Sequence, residues 1–185
     1  MDLSVEALTA LVRRYWPSDK ESNFKLDCSP EARRFLAAWE RELAKMDAWR
    51  VFLHELGEAL PDFTVGNITA TADSCLRCGL YPKAERTGVV VGCVSILAPV
   101  YTVYAMRYRL QGDERVDETL LFESFPPEFQ TPASVFAQRV EATLGVSALP
   151  RHLAEARIPL FVEPREPPET TLFHALFTGR PESVP

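Results

Sequence analysis

Thr87-Gly-Val-Val-Val-Gly-Cys-Val-Ser-Ile-Leu-Ala-Pro-Val-Tyr-Thr-Val-Tyr-Ala-Met106 carries no charged residue and is long enough to span a bilayer as a helix. Its content is wrong for such a helix. Gly88, Gly92, Ser95, Pro99 and Thr102 interrupt it, and its apolar residues are mostly β-branched or aromatic. Pro99 would break a helix at its middle but suits a bend between strands. Buried strands read as continuous apolar runs of this kind. The stretch is therefore read as a strand from Val89 to Leu97, a bend, and a strand from Tyr101 to Leu110, with no membrane segment. Gly92, inside the first strand, signals close packing or a bulge.

The alternation continues outward from this pair. Tyr104, Met106, Tyr108 and Leu110 fall on one face of the second strand, Arg107 and Arg109 on the other. Gln111-Gly112-Asp113 is a turn signal, and Glu118 to Phe125 is the expected partner strand. Upstream, Phe63 to Thr71 is rich in Thr, Val and Ile, and Leu76 to Tyr81 is a short apolar run stopped by Pro82. Consecutive strands on short links predict an antiparallel meander.

Helical periodicity brackets the strands. Val5 to Tyr15 follows Ser4 as cap, with Leu8, Leu11, Val12 and Tyr15 on one stripe. Ser29-Pro30-Glu31 is a stronger start signal. The pattern after it places Leu36, Trp39, Leu43 and Met46 on one stripe and continues through Trp49, Leu53, Leu56 and Leu60, unless Asp47 caps a separate helix. Pro126 and Pro127 close the sheet region, and Thr131-Pro132 predicts a helix from Ala133 to Leu144 with Gly145 as C-cap. Pro150 to Ala156 reads as a turn or two of helix and Ile158 to Val162 as a short apolar run. Residues 162–170, with Pro164, Pro167 and Pro168, read as an extended linker arm. Leu172, Phe173, Leu176 and Phe177 form a patch that docks on the body, and residues 179–185 read as a frayed tail. The expectation is a single α+β domain over residues 1–185. N-terminal helices pack on an antiparallel sheet of about four to five strands, with a further C-terminal helix. The Leu36–Leu60 helix covers one sheet face and the Ala133–Leu144 helix flanks it.

The 185 residues are 46% hydrophobic and 25% charged, an ordinary globular composition. Twenty basic against 26 acidic residues leave a net charge of -6. That sign argues against nucleic-acid binding, which needs a basic field, and is compatible with a basic protein partner. The N-terminus lacks the basic and apolar regions of a secretory signal. Four cysteines are too few and too irregular for a disulfide scaffold, so a cytoplasmic setting is expected.

The most suggestive chemical string is Cys75-Leu76-Arg77-Cys78-Gly79. A C-x-x-C-G turn presents two thiolates to zinc, but a structural site needs a second pair, and Cys28 and Cys93 stand alone. If the string is a strand, residues three apart point to opposite faces about 10 Å apart and share neither metal nor disulfide. Buried structural cysteines are the expectation, with no cofactor and Cys75 and Cys78 as weak zinc candidates. A thioredoxin-like pair would require a βαβ context. His54, His152 and His174 lack spaced partners, and neither G-x-S-x-G nor a phosphate-binding glycine loop is present. Asp113, Glu114, Asp117 and Glu118 crowd the strand-to-strand turn around Arg115. They read as a solvated hairpin tip, or as an acidic patch that steers a basic partner. Glu163, Glu166 and Glu169, interleaved with prolines, read as a solvated linker or as an arm lying across a partner.

Val94-Ser95-Ile96-Leu97-Ala98-Pro99-Val100-Tyr101-Thr102-Val103-Tyr104, in a small acidic α+β chain, resembles the sheet core of some bacterial immunity proteins of polymorphic toxin systems. The resemblance implies a non-enzymatic protein that binds and blocks a toxin. Two readings follow. One is a protein-binding immunity or inhibitor protein that uses exposed acids and aromatics against a basic partner. The other is a small-molecule-binding or enzymatic domain whose site is assembled from dispersed residues such as Tyr104, Tyr108, Arg107 and Glu123.

Overall fold

The computed structural model describes residues 3–20, 29–84, 87–112 and 114–185. The uncharged run folds as a hairpin. β3 (Gly88–Ser95) and β4 (Val100–Gln111) pair antiparallel, from Val94↔Tyr101 to Gly88↔Arg107, with Pro99 in the bend. β1 (Phe63–Asn67) and β2 (Cys75–Pro82) precede the hairpin, and β5 (Glu114–Leu121) follows it. The order β1-β2-β3-β4-β5 is the expected antiparallel meander, and the class is α+β. β6 (Ser147–Ala148), which has no local sequence signal, pairs parallel to β4 at Val100 and Tyr101. Among the described residues no helix is long and apolar enough to cross a membrane.

β3 lacks polar alternation because both sheet faces are covered. One face, carrying Leu76, Cys78, Leu80, Val90 and Ala105, packs beneath the helices of residues 30–59 and the helix after β5. The other, carrying Cys75, Val91, Cys93, Tyr104 and Met106, is roofed by α1 (Val5–Val12) and the C-terminal segment.

α2 (Pro30–Leu43) starts as its cap predicts: Ser29 Oγ accepts from Ala32 N–H at 3.0 Å. The stripe beyond it differs from expectation. The helix breaks at Ala44-Lys45, and α3 (Met46–Ala59) starts afresh without a side-chain cap from Asp47. α2 turns Ala38 and Trp39 inward and leaves Leu36 59% and Leu43 50% exposed. The break lets two tryptophans anchor at different points, the loop after β1 and the end of β1 itself. Trp39 Nε1 donates to the Asp73 carbonyl at 2.9 Å, and Trp49 Nε1 to Asn67 Oδ1 at 3.3 Å.

α4 (Pro127–Leu144) begins six residues before the predicted start. Pro127 occupies the first turn, where a missing N–H costs no helical bond, and Pro132 is carried inside the helix. The early start buries Phe129. Gly145 closes the helix at φ +65°, as its position predicts. α3 and α4 lie over the same sheet face, joined by an edge-on contact of Phe52 and Phe136 with centroids 6.0 Å apart. Phe136 also explains Gly92, where a β-carbon would overlap its ring.

α5 (Arg151–Ala154) and α6 (Leu172–Leu176) belong to the other roof. The 162–170 segment is not an extended arm: Val162 and Arg165 bridge, and Ile158 N–H donates to the Thr170 carbonyl at 3.0 Å, closing it into a compact loop. Nor do residues 179–185 lie free. Pro181 and Val184 are buried, and Arg115 reaches the carbonyls of Val184 and Pro185, both at 2.5 Å. Guanidinium donors supply what the tail's own composition does not.

Candidate functional site

β5 pairs antiparallel with β4, with Gly112 at φ +67° and Gln111 opposite Glu114. Asp113 lies outside the described residues. Glu114, Asp117 and Glu118 are exposed on this outermost strand, as a solvated tip requires. Their charges are not uniformly open. Asp117, at φ +55°, sits at a register shift and accepts from Arg109 Nε at 2.6 Å. Arg115 turns inward over the Tyr108 ring, 4.6 Å from its centroid.

Cys75 and Cys78 lie on opposite faces of β2, in the two separate cores, as strand alternation demands. Burial pushes both thiols above their ordinary range, with Cys93 adding to the shift in each, so neither offers a thiolate. Among the described residues no three His, Cys, Asp or Glu side chains cluster around a common ion position.

The residues of the dispersed-site reading do not converge. Tyr104 and Tyr108 are buried in one core, Arg107 is exposed on the other side of β4, and Glu123 lies 3.6 Å from Arg151. His54 is exposed beside Glu58 at 3.7 Å. His174 caps α6, its Nδ1 accepting from Thr171 N–H at 3.1 Å. Burial, reinforced by Arg165, pushes its pKa down to about 4.

Arg77, unremarked within the cysteine string, is the centre of a buried polar network. It is 3% exposed and donates to Asp73 Oδ2 at 2.9 Å and to Tyr104 Oη and the Ser183 carbonyl at 3.0 Å each. Tyr104 in turn donates to the Pro181 carbonyl at 3.0 Å. Burial disfavours the guanidinium charge, but Tyr104, Cys93 and Asp73 outweigh it and hold the pKa above its usual value. Among the described residues Nε of Arg77 has no partner, and Arg77 lines a groove of about 790 Å³ beneath Trp16 and the tail.

A second groove, of about 680 Å³, opens at the edge of β4 between α4 and the C-terminal roof. Phe122 and Phe173 meet edge to face on its floor at 5.2 Å, and Ala133 and Ala137 of α4 leave room above. Three of its polar groups are committed to structural bonds. Tyr101 Oη donates to Glu141 at 2.7 Å, Gln130 Nε2 donates to the Phe125 carbonyl at 2.9 Å, and Arg151 pairs with Glu155 at 2.6 Å. Burial and then Glu141 push the Tyr101 pKa up, so it stays a neutral donor.

This groove arises because β5 and β6 share one edge of β4 without meeting. The nearest β5 pair is Ala105↔Leu121, and the nearest β6 pair is Tyr101↔Ala148. Sequence reading missed it: a two-residue parallel strand leaves no periodicity, and the gap exists only through that strand. Searches against protein-family models, curated proteins and solved structures return no match for the chain.

Proposed function

We propose that this chain is a non-enzymatic protein-binding protein that blocks a basic protein partner, as an immunity or inhibitor protein does. One observation carries the reading. The outer edge strand presents Glu114 and Glu118 and runs on through Glu123 into an apolar groove. Exposed acids steer a basic partner, and a desolvated aromatic floor supplies anchoring area. Tyr101, Gln130 and Arg151 of the groove are already held by structural bonds, which suits recognition by shape and charge.

The test is affinity capture with the immobilised full chain. A basic protein retained by the wild type and lost on Glu118→Lys with Glu123→Lys is the expected result. Failure to retain any protein at about micromolar concentration removes the basis of the reading.

A small-molecule site is the second reading, favoured by one atom, the Nε of Arg77, which has no partner among the described residues. A ligand oxygen at Nε would satisfy it. Acetate or phosphate raising the melting temperature of the wild type but not of Arg77→Lys would favour this reading over the first.

A further inference from the structure

The edge of β4 holds an unfilled strand position. Tyr101 accepts Leu149 N–H at 2.8 Å, so its peptide groups face β6. Alternation then turns those of Thr102 and Tyr104 toward β3 and those of Val103 toward the gap. Among the described residues no backbone group pairs with Val103 on that side. From Tyr101 to Ala105 the gap spans four residue steps and leaves three residues between the paired ends, about 13 Å at a strand's rise. An unpaired donor and acceptor side by side on a strand edge are matched by an extended main chain.

The surroundings select among such chains. Glu155 lines the groove, and Glu141 and Glu123 stand just outside it, bonded to its lining residues Tyr101 and Arg151; among the described lining residues Arg151 carries the one guanidinium against these three carboxylates. Beneath the rim the walls are apolar, formed by Phe122, Phe173 and the small side chains of α4. Basic residues fit the rim, and apolar residues between them fit the walls.

Resting on the protein-binding reading, we infer that the groove receives an extended segment of the partner, about three residues of it paired in the gap, by strand addition at Val103. The segment's central N–H and C=O pair with the carbonyl and N–H of Val103. Its apolar side chains enter the groove, and its flanking Lys or Arg meet Glu123, Glu141 and Glu155. β5 and β6 act as the two stops that set the register.

The test uses the full chain and the peptide acetyl-Arg-Val-Thr-Val-Arg-amide, followed by amide NMR. The peptide is expected to shift the Val103 N–H and slow its hydrogen exchange at least about tenfold at saturation. The same peptide N-methylated at its central amide, and its Glu-flanked counterpart, are each expected to bind at least about tenfold more weakly. Val103→Pro removes the outward N–H while leaving the β3 pairing of Thr102 and Tyr104 intact. It should keep the wild-type circular dichroism spectrum and lose peptide binding. Ala137→Trp fills the groove from α4 and serves as a second blocking variant should Val103→Pro fail to fold. Equal affinity for the N-methylated peptide, or no binding at about 1 mM, overturns the proposal. A protein partner captured without any change at Val103 refutes the strand slot and leaves protein binding standing. Peptide binding at Val103 with no protein captured does the reverse.

Discussion

Replacing Arg77 by Met tests whether the buried network holds together the core beneath α1 and the C-terminal segment. The side chain is 3% exposed, and its partner carboxylate on Asp73 is 13% exposed, so the pair is screened by little water. Removing one member of such a pair costs about 3–5 kcal/mol, because the other charge is left behind. The Ser183 carbonyl and Tyr104 Oη lose a donor at the same time. Against this, the Arg77 Nε is already unsatisfied, and its removal relieves about 1 kcal/mol of standing cost. The net expectation is about 2–4 kcal/mol, or about 4–16 °C in melting temperature for a chain of this size. Urea denaturation followed by tryptophan fluorescence measures it, with an unchanged m-value required for the comparison. Adding Asp73→Asn should restore part of the loss, since no carboxylate then remains unpaired. A loss below about 1 kcal/mol, the range of an exposed ion pair, would refute the reasoning.

Gly92→Ala should destabilise by about 1–3 kcal/mol, because its β-carbon meets the Phe136 ring, and Phe136→Leu should recover part of that in the double variant. Thermal melts of the three proteins decide this. Tyr104→Ala should cost about 3–5 kcal/mol and Arg107→Ala less than about 0.5 kcal/mol, although the two are three residues apart on one strand. His174 provides a pH test. Its folded pKa is about 4 against about 6.5 unfolded, so the unfolded chain takes up the proton first as pH falls. Stability from this group is complete above about pH 6.5 and is lost on descending toward pH 4, by about 1–2 kcal/mol after allowance for its partial exposure. His174→Asn should flatten that slope in urea titrations between the two pH values; an unchanged slope removes His174 as its source.

Most of the sheet was legible because its signals are local. Pro99, the β-branched run and the turn at Gly112 are read within a few residues of where they act. Ser29 and Gly145 announce helix ends by their own chemistry. What escaped depends on distant partners. Leu36 and Leu43 fit a helical stripe as well as Trp39 does, and only the bonds of the two tryptophans to Asp73 and Asn67 fix which stripe turns inward. The polar, proline-containing tail is anchored by Arg77 and Arg115, whose donors reach it across more than sixty residues. The groove has the same origin. Val103 is an ordinary strand residue until a two-residue strand from residues 147 and 148 stops short of it.

The roof joining α1 to α6 has a consequence for the order of assembly. Trp16 Nε1 donates to the Ala175 carbonyl across 159 positions, and Leu8 and Val12 share a core with Leu172 and Leu176. α3 and α4 instead flank the meander directly in sequence, so the layer they close forms over short loops. Long loops are slow to close. During refolding, Val90 and Ala105 should therefore sit under a finished layer while Val91 and Tyr104 still wait for both ends of the chain, leaving a transient half-roofed sheet whose bare side is the one that aggregates.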